Sequence, residues 1–303
     1  MLVVTAAVSS AGCRDDRPLH PYFRAQALPV IIAHRGGGGT EPEATLPTML
    51  ATHQRNPEAI IEFDVFRTKD GEIVVMHDAT VDRTTNGTGR IADLTLAEVK
   101  ALDAGYCATP EQGNGTDFGG VCHDGDAVNY PFRGKGYQVP TLQEVLDAVP
   151  PEAFLSVEVK EAGIERQVAD QLRAAGVLGR TMVGAEHDDM AARVKDALPE
   201  VAGFLPTGAA KCFVLSTKAG WDYPACPFYE LFASPLTGAG LALDTRGVLD
   251  AAHAQGVAVA YWTINDEPTM ERLLRLGADG IFTDYPDKAR VVLERLRAAG
   301  VLK

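Results

Sequence analysis

The sequence predicts an α/β protein of the (β/α)8 class, a TIM barrel with an insertion after its second strand. Short β-branched or apolar runs alternate with helix-patterned stretches, and eight such runs occur within 303 residues. This alternation is typical of parallel βαβ units, and eight units in a chain of this length favour a closed barrel. An open, doubly wound sheet is the alternative, but no GxGxxG motif follows the first run. The glycine run at 36–39 lacks the Lys-Ser/Thr of a phosphate-binding P-loop, so we interpret it as backbone freedom beside a site.

The predicted strands are rich in β-branched and apolar residues and are bounded by polar or glycine-containing segments. They cover residues 30–33, 60–66, 154–159, 181–184, 201–205, 231–234, 257–263 and 280–283. The stretches between most of them repeat apolar residues with helical spacing, at residues 45–54, 142–148, 164–175, 188–197, 245–255 and 268–276.

One connection is too long for an ordinary loop. About 60 residues separate His77 from Val139, whereas connections beyond about 15 residues are usually functional or carry structure of their own. We therefore expect an insertion over about residues 79–138, with one short helix at 95–102. At this place in the chain it would lie over the mouth of the barrel and shape the substrate pocket.

The charge balance excludes some classes of partner. The formal net charge is −13 and the pI is about 5.0, so a sequence-independent nucleic-acid interface, which needs a basic face, is not expected. No stretch reaches the roughly 20 apolar residues that span a bilayer. An anionic substrate would therefore be bound by a few local cations or a metal ion rather than by the global field.

The first 28 residues are expected to be a signal-like segment and a linker. Residues 2–12 are small and apolar and end at Cys13, which follows Ser10-Ala11-Gly12 in the manner of a bacterial lipoprotein signal. Ser10 stands where such signals usually carry Leu, and no basic residue precedes the segment, which leaves a disordered apolar tail as the alternative. We expect lipidation at Cys13 and export to the periplasm or cell envelope, followed by a linker at 14–28 and one barrel domain at 29–303.

The remaining cysteines form two local pairs in loop-like sequence. Cys107 lies 15 residues before Cys122, and Cys212 precedes Cys226 at a similar spacing. Paired loop cysteines are typical of an oxidising compartment, so we expect two disulfides. Four free thiols are the alternative, and a zinc site is disfavoured because the short CxxC spacing is missing.

Two carboxylates lie two residues apart in one predicted strand. Glu62 and Asp64 therefore share one face of that strand, and Glu158 and Lys160 repeat the spacing at the end of the next strand. If both strands point these side chains into the barrel at their carboxyl ends, the three carboxylates converge. Such a set of hard oxygen ligands suits Mg²⁺ or Ca²⁺. The alternative is a structural ion-pair network with Arg35 and Lys160.

Two histidines also fall at the ends of extended segments. His34 follows the first strand, and His77 ends the extended segment after the second. At neutral pH one imidazole can accept a proton while the other donates one, and in-line displacement at a phosphodiester uses such a pair. Arg35 would bind a phosphate oxygen because its planar guanidinium matches that geometry, with Lys160 as a second positive charge. Trp262 either walls the pocket or belongs to the core.

These residues belong to a series of motifs that runs in order from about residue 30 to residue 303. Each motif alone is weak, but their order and spacing together are specific. On these motifs the chain resembles the glycerophosphodiester phosphodiesterase family: His34-Arg35-Gly36, Pro42-Glu43, Glu62-x-Asp64, His77-Asp78, Arg83-Thr84-Thr85 with Gly87, Glu158-x-Lys160, Trp262-Thr263-x-Asn265 and residues 280–286.

The resemblance implies metal-dependent hydrolysis of glycerophosphodiesters, such as glycerophosphocholine and glycerophosphoethanolamine, to glycerol 3-phosphate and an alcohol. It implies one divalent cation, Ca²⁺ or Mg²⁺, on Glu62, Asp64 and Glu158, with His34 and His77 as general base and general acid. In the mechanism that it implies, the glycerol 2-hydroxyl attacks phosphorus and water then opens the resulting cyclic phosphate.

The substrate-binding residues expected with this family are Arg35, Lys160, Glu43 and Trp262. One position departs from the family, which commonly continues Pro-Glu with Asn-Thr where this chain has Ala44. The missing amide puts a polar contact from this position in doubt, but it removes neither an expected ligand nor a histidine.

Two other functions compete with this interpretation. A barrel phosphodiesterase resembling sphingomyelinase D or lysophospholipase D would share the histidines and the acidic site, but that family lacks the long insertion. A non-catalytic lipoprotein that binds glycerophosphodiesters would not need the pair His34 and His77, because binding alone transfers no proton. In each case the partner is a small phosphodiester and not a nucleic acid.

Overall fold

The fold is described by a computed structural model that covers residues 18–110, 122, 129–219 and 229–302. Cys13 and Cys226 lie outside the described residues, so their expected roles stay predictions. Within the described ranges, no helix combines the length and the apolar character that crossing a membrane requires.

Parallel strands form the centre of the fold, in the order β5-β4-β2-β1-β10-β9-β6. β3 pairs antiparallel with β2, and β7 and β8 form a separate hairpin. The strands are β1 (Val30–Ala33), β2 (Ile60–Arg67), β3 (Ile73–Val75), β4 (Leu155–Val159), β5 (Thr181–Gly184), β6 (Leu231–Ser234), β7 (Thr237–Gly238), β8 (Leu241–Ala242), β9 (Ala258–Tyr261) and β10 (Gly280–Thr283).

The barrel is completed by the segment 201–205, which was predicted as a strand. Ala202 of this segment forms a single parallel bridge to Met182 of β5, and Phe204 forms one to Leu231 of β6. The segment thus contacts both ends of the sheet. It therefore closes the ring as the eighth element, although it is too irregular to form a continuous ladder. The barrel class predicted from the sequence is confirmed.

Helices surround this ring, and each helical stretch predicted from the sequence overlaps one of them. Three helices were not predicted: α1, α7, whose apolar residues show only a weak helical stripe, and α10, which begins at a proline. The helices are α1 (Pro21–Arg24), α2 (Leu46–Arg55), α3 (Leu96–Lys100), α4 (Leu142–Ala148), α5 (Glu165–Ala174), α6 (Asp188–Ala197), α7 (Thr207–Ala219), α8 (Arg246–His253), α9 (Glu267–Leu276) and α10 (Pro286–Ala298).

Successive residues of β2 point to opposite sides of the barrel wall. Ile61 and Phe63 belong to the large core between the sheet and the helices, whereas Ile60 belongs to the smaller core inside the ring. Because successive strand residues point to opposite faces, Glu62 and Asp64 share the inner face with Ile60, nearer the carboxyl end.

The amino-terminal end of the ring is closed by α1. Tyr22 and Phe23 are 2% and 1% exposed and pack in the inner core with Ile60. Tyr22 Oη donates a hydrogen bond of 3.0 Å to the carbonyl oxygen of Leu155, at the start of β4. The later part of the segment expected to be a linker, 14–28, is therefore packed into the domain, because its two aromatic side chains fill the end of the barrel.

The insertion that follows β3 has a small core of its own. Val81, Ile91 and Val99 are buried there together with Val74 of β3 and Val139. The short helix expected at 95–102 is α3, and it begins with a capping box in which the side chains of Thr95 and Glu98 each bind the other's backbone amide.

The described cysteines are oxidised. Cys107 and Cys122 form a disulfide within the insertion, with their Cα atoms 5.5 Å apart. Cys212, on α7, is also disulfide-bonded. The insertion is thus cross-linked between positions 107 and 122.

Candidate active site

A cavity of about 620 Å³ opens at the carboxyl ends of the barrel strands. Parallel barrels carry their functional side chains at this end, because the loops that follow the strands converge there. The cavity brings together the following residues that were predicted from the sequence: His34, Arg35, Glu62, Asp64, His77, Glu158, Lys160 and Trp262.

The register between β2 and β4 places the acidic residues side by side. Asp64 is paired with Glu158, and Glu62 is paired with Ser156 on the same parallel ladder. One carboxylate oxygen from each of Glu62, Asp64 and Glu158 lies within 4.8 Å of the other two. Three oxygen ligands at this separation could hold a hard divalent cation.

The electrostatics of this cluster also fit a cation. Burial, and then the charge of Asp64, raise the pKa of Glu62 well above its ordinary value, and the same two causes raise the pKa of Glu158. Lys160 Nζ lies 3.0 Å from Glu158 Oε1 and 3.4 Å from Asp64 Oδ1. Asp64 Oδ2 is buried and accepts no hydrogen bond from the described part of the chain. A divalent cation would coordinate that oxygen and offset the repulsion among the three acids.

His34 is oriented by a carboxylate that follows β10. Its Nδ1 lies 2.7 Å from Asp284 Oδ1, and Asn265 Nδ2 donates to the other oxygen of Asp284 at 2.7 Å. Burial raises the pKa of Asp284, but the hydrogen bonds from His34 and Asn265 and the charges of His34 and Arg35 together lower it below its ordinary value. When Nδ1 donates to this carboxylate, Nε2 is the nitrogen left to exchange a proton in the cavity.

His77 is oriented in the same way by its neighbour in the sequence. Its Nδ1 lies 2.6 Å from Asp78 Oδ1, and Arg83 Nε donates to Asp78 Oδ2 at 2.6 Å. Burial raises the pKa of Asp78, but the hydrogen bonds from His77 and Arg83 lower it well below its ordinary value. Each of the two imidazoles therefore has an ionised aspartate on Nδ1.

Arg35 reaches the site through an unusual backbone. Its φ is +52°, in the left-handed region, and its amide donates to Glu62 Oε2 at 2.7 Å. The next residue, Gly36, has φ +81°, and a Cβ there would lie 2.8 Å from Met49 Cγ, so the turn requires glycine. Arg35 Nε is buried and donates to no acceptor in the described part of the chain, which leaves it available to a phosphate oxygen.

Glu43 is 4% exposed and is not among the residues that line the cavity, so its expected contact with the substrate stays a prediction. Its carboxylate accepts hydrogen bonds from Arg35 Nη1 at 3.2 Å and from Arg83 Nη2 at 2.6 Å. Burial raises the pKa of Glu43, but the charges of Arg35 and Arg83 outweigh burial and lower it to about 2. Glu43 thus forms ion pairs with two arginines, Arg35 and Arg83.

The departure at position 44 has a backbone consequence. Ala44 has φ +56° and its amide donates to the carbonyl oxygen of Arg35 at 2.8 Å. Asparagine is one of the few residues besides glycine that adopts this conformation readily. The asparagine usual in the family therefore suits this turn, which Ala44 maintains in the present chain.

Trp262 stands at the mouth of the cavity rather than in the core, with 45% of its surface exposed. Sequence reasoning did not give roles to Asp284, Asn265, Asp78 or Arg83, which orient the two imidazoles. All four lie in the quoted motifs, so their positions were visible, but only the folded chain shows which side chain each of them contacts.

Comparison with known proteins places the chain in a family. The model of the "Glycerophosphoryl diester phosphodiesterase family" matches residues 34–288. The chain belongs to this family. It is 32% identical over 275 residues to a glycerophosphodiester phosphodiesterase of Bacillus subtilis, an alignment that covers 85% of this chain and 84% of the relative.

Further glycerophosphodiester phosphodiesterases align over a comparable length. One from Caldanaerobacter subterraneus is 29% identical over 266 residues, with coverage of 85% of this chain and 95% of the relative. The fold matches a phosphodiesterase from Oleispira antarctica, solved with the product sn-glycerol-3-phosphate, at TM-score 0.64 and 24% identity, with coverage of 88% and 97%. The protein is thus an enzyme of the phosphoric diester hydrolase class with the barrel of its relatives.

Proposed function

We propose that this phosphodiesterase hydrolyses glycerophosphodiesters such as glycerophosphocholine and glycerophosphoethanolamine to glycerol 3-phosphate and the free alcohol. The observation that carries the proposal is that His34 and His77, each bound to an aspartate, line one cavity with Arg35 and Lys160. The glycerol 3-phosphate bound to the relative from Oleispira antarctica supports this choice of product.

The two imidazoles would move the protons. His34 takes the proton of the glycerol 2-hydroxyl as its oxygen forms a bond to phosphorus, and His77 gives a proton to the alcohol oxygen as its bond to phosphorus breaks. Water then opens the cyclic phosphate with the two roles reversed, so that one water is consumed and both imidazoles return to their starting state. Arg35 Nε and Lys160 would bind the non-bridging phosphate oxygens.

Glu62, Asp64 and Glu158 would hold one divalent cation, Ca²⁺ or Mg²⁺. When bound, such an ion neutralises phosphate charge and makes the 2-hydroxyl more acidic. The orphaned Asp64 Oδ2 and the mutual repulsion of the three acids support its presence in the working enzyme.

The test is glycerol 3-phosphate release from glycerophosphocholine by the wild type, with EDTA and then with Ca²⁺ or Mg²⁺ added back. We expect EDTA to abolish release and one of the ions to restore it. Glu62→Gln should stay inactive with either ion, whereas the control Glu72→Gln, an exposed residue between β2 and β3, should behave like the wild type.

Other outcomes would point to the competing functions. Retained binding of glycerophosphocholine without hydrolysis under either ion would favour a binding lipoprotein. Turnover of sphingomyelin, with none of glycerophosphocholine, would favour a phosphodiesterase resembling sphingomyelinase D.

We also propose that the enzyme is exported and anchored through a lipid on Cys13. The disulfide between Cys107 and Cys122 supports an oxidising compartment. Expression of the full chain and of Cys13→Ser, followed by separation of membrane and soluble fractions, tests this. The wild type is expected with the membranes and the variant in the soluble fraction, and identical behaviour of the two would contradict the anchor.

A further inference from the structure

An arginine of the insertion contacts the residues that orient His77. The described residues of the insertion, at 79–110, 122 and 129–138, are not among those that line the cavity. Their influence on the site therefore passes through side chains that lie outside the cavity. Arg83 is such a side chain, because its Nε donates at 2.6 Å to Asp78 Oδ2, on the carboxylate whose other oxygen binds His77.

All three nitrogens of the Arg83 guanidinium are hydrogen-bonded. While Nε donates to Asp78, Nη1 and Nη2 donate to the two oxygens of Glu43 at 3.0 and 2.6 Å. A paired contact of this kind fixes the plane of the guanidinium as well as its distance, because two parallel bonds resist rotation. The direction from which Nε approaches Asp78 is thus set by Glu43.

Glu43 is restrained in its turn by the phosphate-binding side of the site. It is buried, and both of its oxygens accept from Arg35 Nη1 at 3.2 Å. Arg35 is the residue proposed to bind the phosphate. The side chain that binds the phosphate and the carboxylate that orients His77 therefore share one support, the pair of Glu43 and Arg83.

The backbone that carries Arg83 is also fixed. Val81 is fully buried in the core of the insertion, and Thr85 Oγ1 donates to its carbonyl oxygen at 2.7 Å. The amide of Gly87 donates back to Thr85 Oγ1 at 3.0 Å, which holds the turn at 81–87 together. Arg83 is therefore held at both ends, by this turn and by Glu43.

We infer that Arg83, oriented by Glu43, is a positioning residue for the general acid, which fixes Asp78 and thereby the direction in which His77 delivers its proton to the leaving alcohol. The inference rests on the proposed function, in which His77 is that acid. It gives the insertion a part in the chemistry without a contact to the substrate. The proton moves from His77 Nε2 to the alcohol oxygen as the bond from that oxygen to phosphorus breaks.

The competing interpretation is that Arg83 only stabilises the fold as a counter-charge. A series of leaving alcohols separates the two, with glycerol 3-phosphodiesters that release choline, trifluoroethanol and p-nitrophenol. Their need for a proton donor falls in that order, because a more acidic alcohol leaves more readily as its anion. The measurement is kcat/KM for alcohol release, compared within one protein sample, so that the ratio between substrates is independent of the fraction of molecules that is folded.

Arg83→Lys keeps the positive charge but loses the planar fork that binds Asp78 and Glu43 together. We expect kcat/KM to fall by about 10²-fold for the choline ester and by less than about threefold for the p-nitrophenyl ester, with the trifluoroethyl ester between them. Glu43→Gln leaves Arg83 in place without its charged support, so the ratio of kcat/KM for the choline ester to that for the p-nitrophenyl ester should fall there too.

The matched control is an arginine that bridges two carboxylates outside the cavity. Arg193 donates from Nε to Glu165 at 2.7 Å and from Nη1 to Asp189 at 3.2 Å. Arg193→Lys should leave the ratio of the two esters at the wild-type value.

Two results for Arg83→Lys would overturn the inference while leaving the proposed function intact. The first is a loss of the same factor for all three esters, which is the result of a structural counter-charge. The second is wild-type activity on the choline ester, since charge alone would then suffice. A wild-type ratio in Glu43→Gln would overturn the part assigned to Glu43. Failure of the wild type to release any of the three alcohols with either ion would instead reject the proposed function.

Discussion

Asp284 Oδ1 lies 2.7 Å from His34 Nδ1, although 250 residues separate the two in the chain. Asn265 donates to the second oxygen of Asp284 and accepts from its amide, so the carboxylate is fixed on both sides. The aspartate thereby selects the tautomer of His34 whose Nε2 is free to take a proton.

Replacing this carboxylate should disable the base. Asp284→Asn offers an amide that can bind Nδ1 in the wrong protonation state, so we expect kcat to fall by about 10²-fold or more with a smaller change in KM. Steady-state kinetics on glycerophosphocholine measures both. The matched control is Asp279→Asn, which removes the partner of His253 at 2.7 Å outside the cavity. Equal losses of kcat in the two variants would show that the effect is structural.

Lys160 has two opposing effects on the site. Its Nζ lies 3.0 Å from Glu158 Oε1, so it repels a cation bound there while it attracts the substrate phosphate. For Lys160→Gln we expect half-maximal activity at a lower cation concentration, together with a rise in KM of about tenfold. Cation titrations at saturating substrate test the first effect. Lys195→Gln, which breaks a 2.8 Å pair with Glu230 outside the cavity, should change neither value.

Glu43 should be important for stability. Glu43→Gln leaves the buried Arg35 and the partly buried Arg83 without their shared counter-charge, so we expect the free energy of unfolding to fall by about 3 to 5 kcal/mol. Denaturant unfolding followed by circular dichroism measures this loss. Glu41→Gln is the control: Glu41 pairs with Arg55 at 3.2 Å on the surface, and its loss should cost at most about 1 kcal/mol.

Glu43 should also make the free energy of unfolding depend on pH below the ordinary pKa of a glutamate. The pKa of Glu43 is about 2 in the folded protein and 4.5 in its ordinary state. Because the folded pKa is the lower one, the stabilisation is complete above pH 4.5 and is lost as the pH falls toward 2. The difference in unfolding free energy between the wild type and Glu43→Gln should therefore shrink from pH 5 to pH 3. A constant difference would contradict the ion pairing.

The disulfide of the insertion should stabilise the fold by restricting the unfolded chain. Cys107 and Cys122 enclose a loop of 15 residues, which corresponds to about 3 kcal/mol in the chain-entropy model. We expect the double variant Cys107→Ser/Cys122→Ser to lose that amount in denaturant unfolding. The double variant is preferable to a reductant, since Cys212 is also disulfide-bonded and would be reduced as well.

Local patterns were sufficient to predict the barrel and the acidic cluster of the cavity. Runs of β-branched residues marked the strands, and the spacing of Glu62, Asp64 and Glu158 placed the acids on inner faces of neighbouring strands. These features depend on the period of the strand and on parallel pairing, both of which are visible in the sequence.

What the sequence did not reveal depends on tertiary packing. Tyr22 and Phe23 lie in a segment that is polar and rich in proline, so only the open end of the barrel explains their burial. Glu43 follows the glycine run, and the direction of its side chain is set by Arg35 and Arg83 rather than by any periodic pattern. The partner of His34 depends on how β10 and β1 align across the whole length of the chain.

The short helix that closes the barrel also bears on how a tethered enzyme would be oriented. α1 packs against the first residues of the strands, so the chain enters the domain at the pole opposite the catalytic mouth. Cys13 lies five positions before the first described residue, a reach of at most about 18 Å when extended. A lipid on Cys13 would therefore hold the catalytic mouth facing away from the bilayer to which the enzyme is anchored. The enzyme would then act on molecules dissolved in the surrounding fluid rather than on lipids of that bilayer.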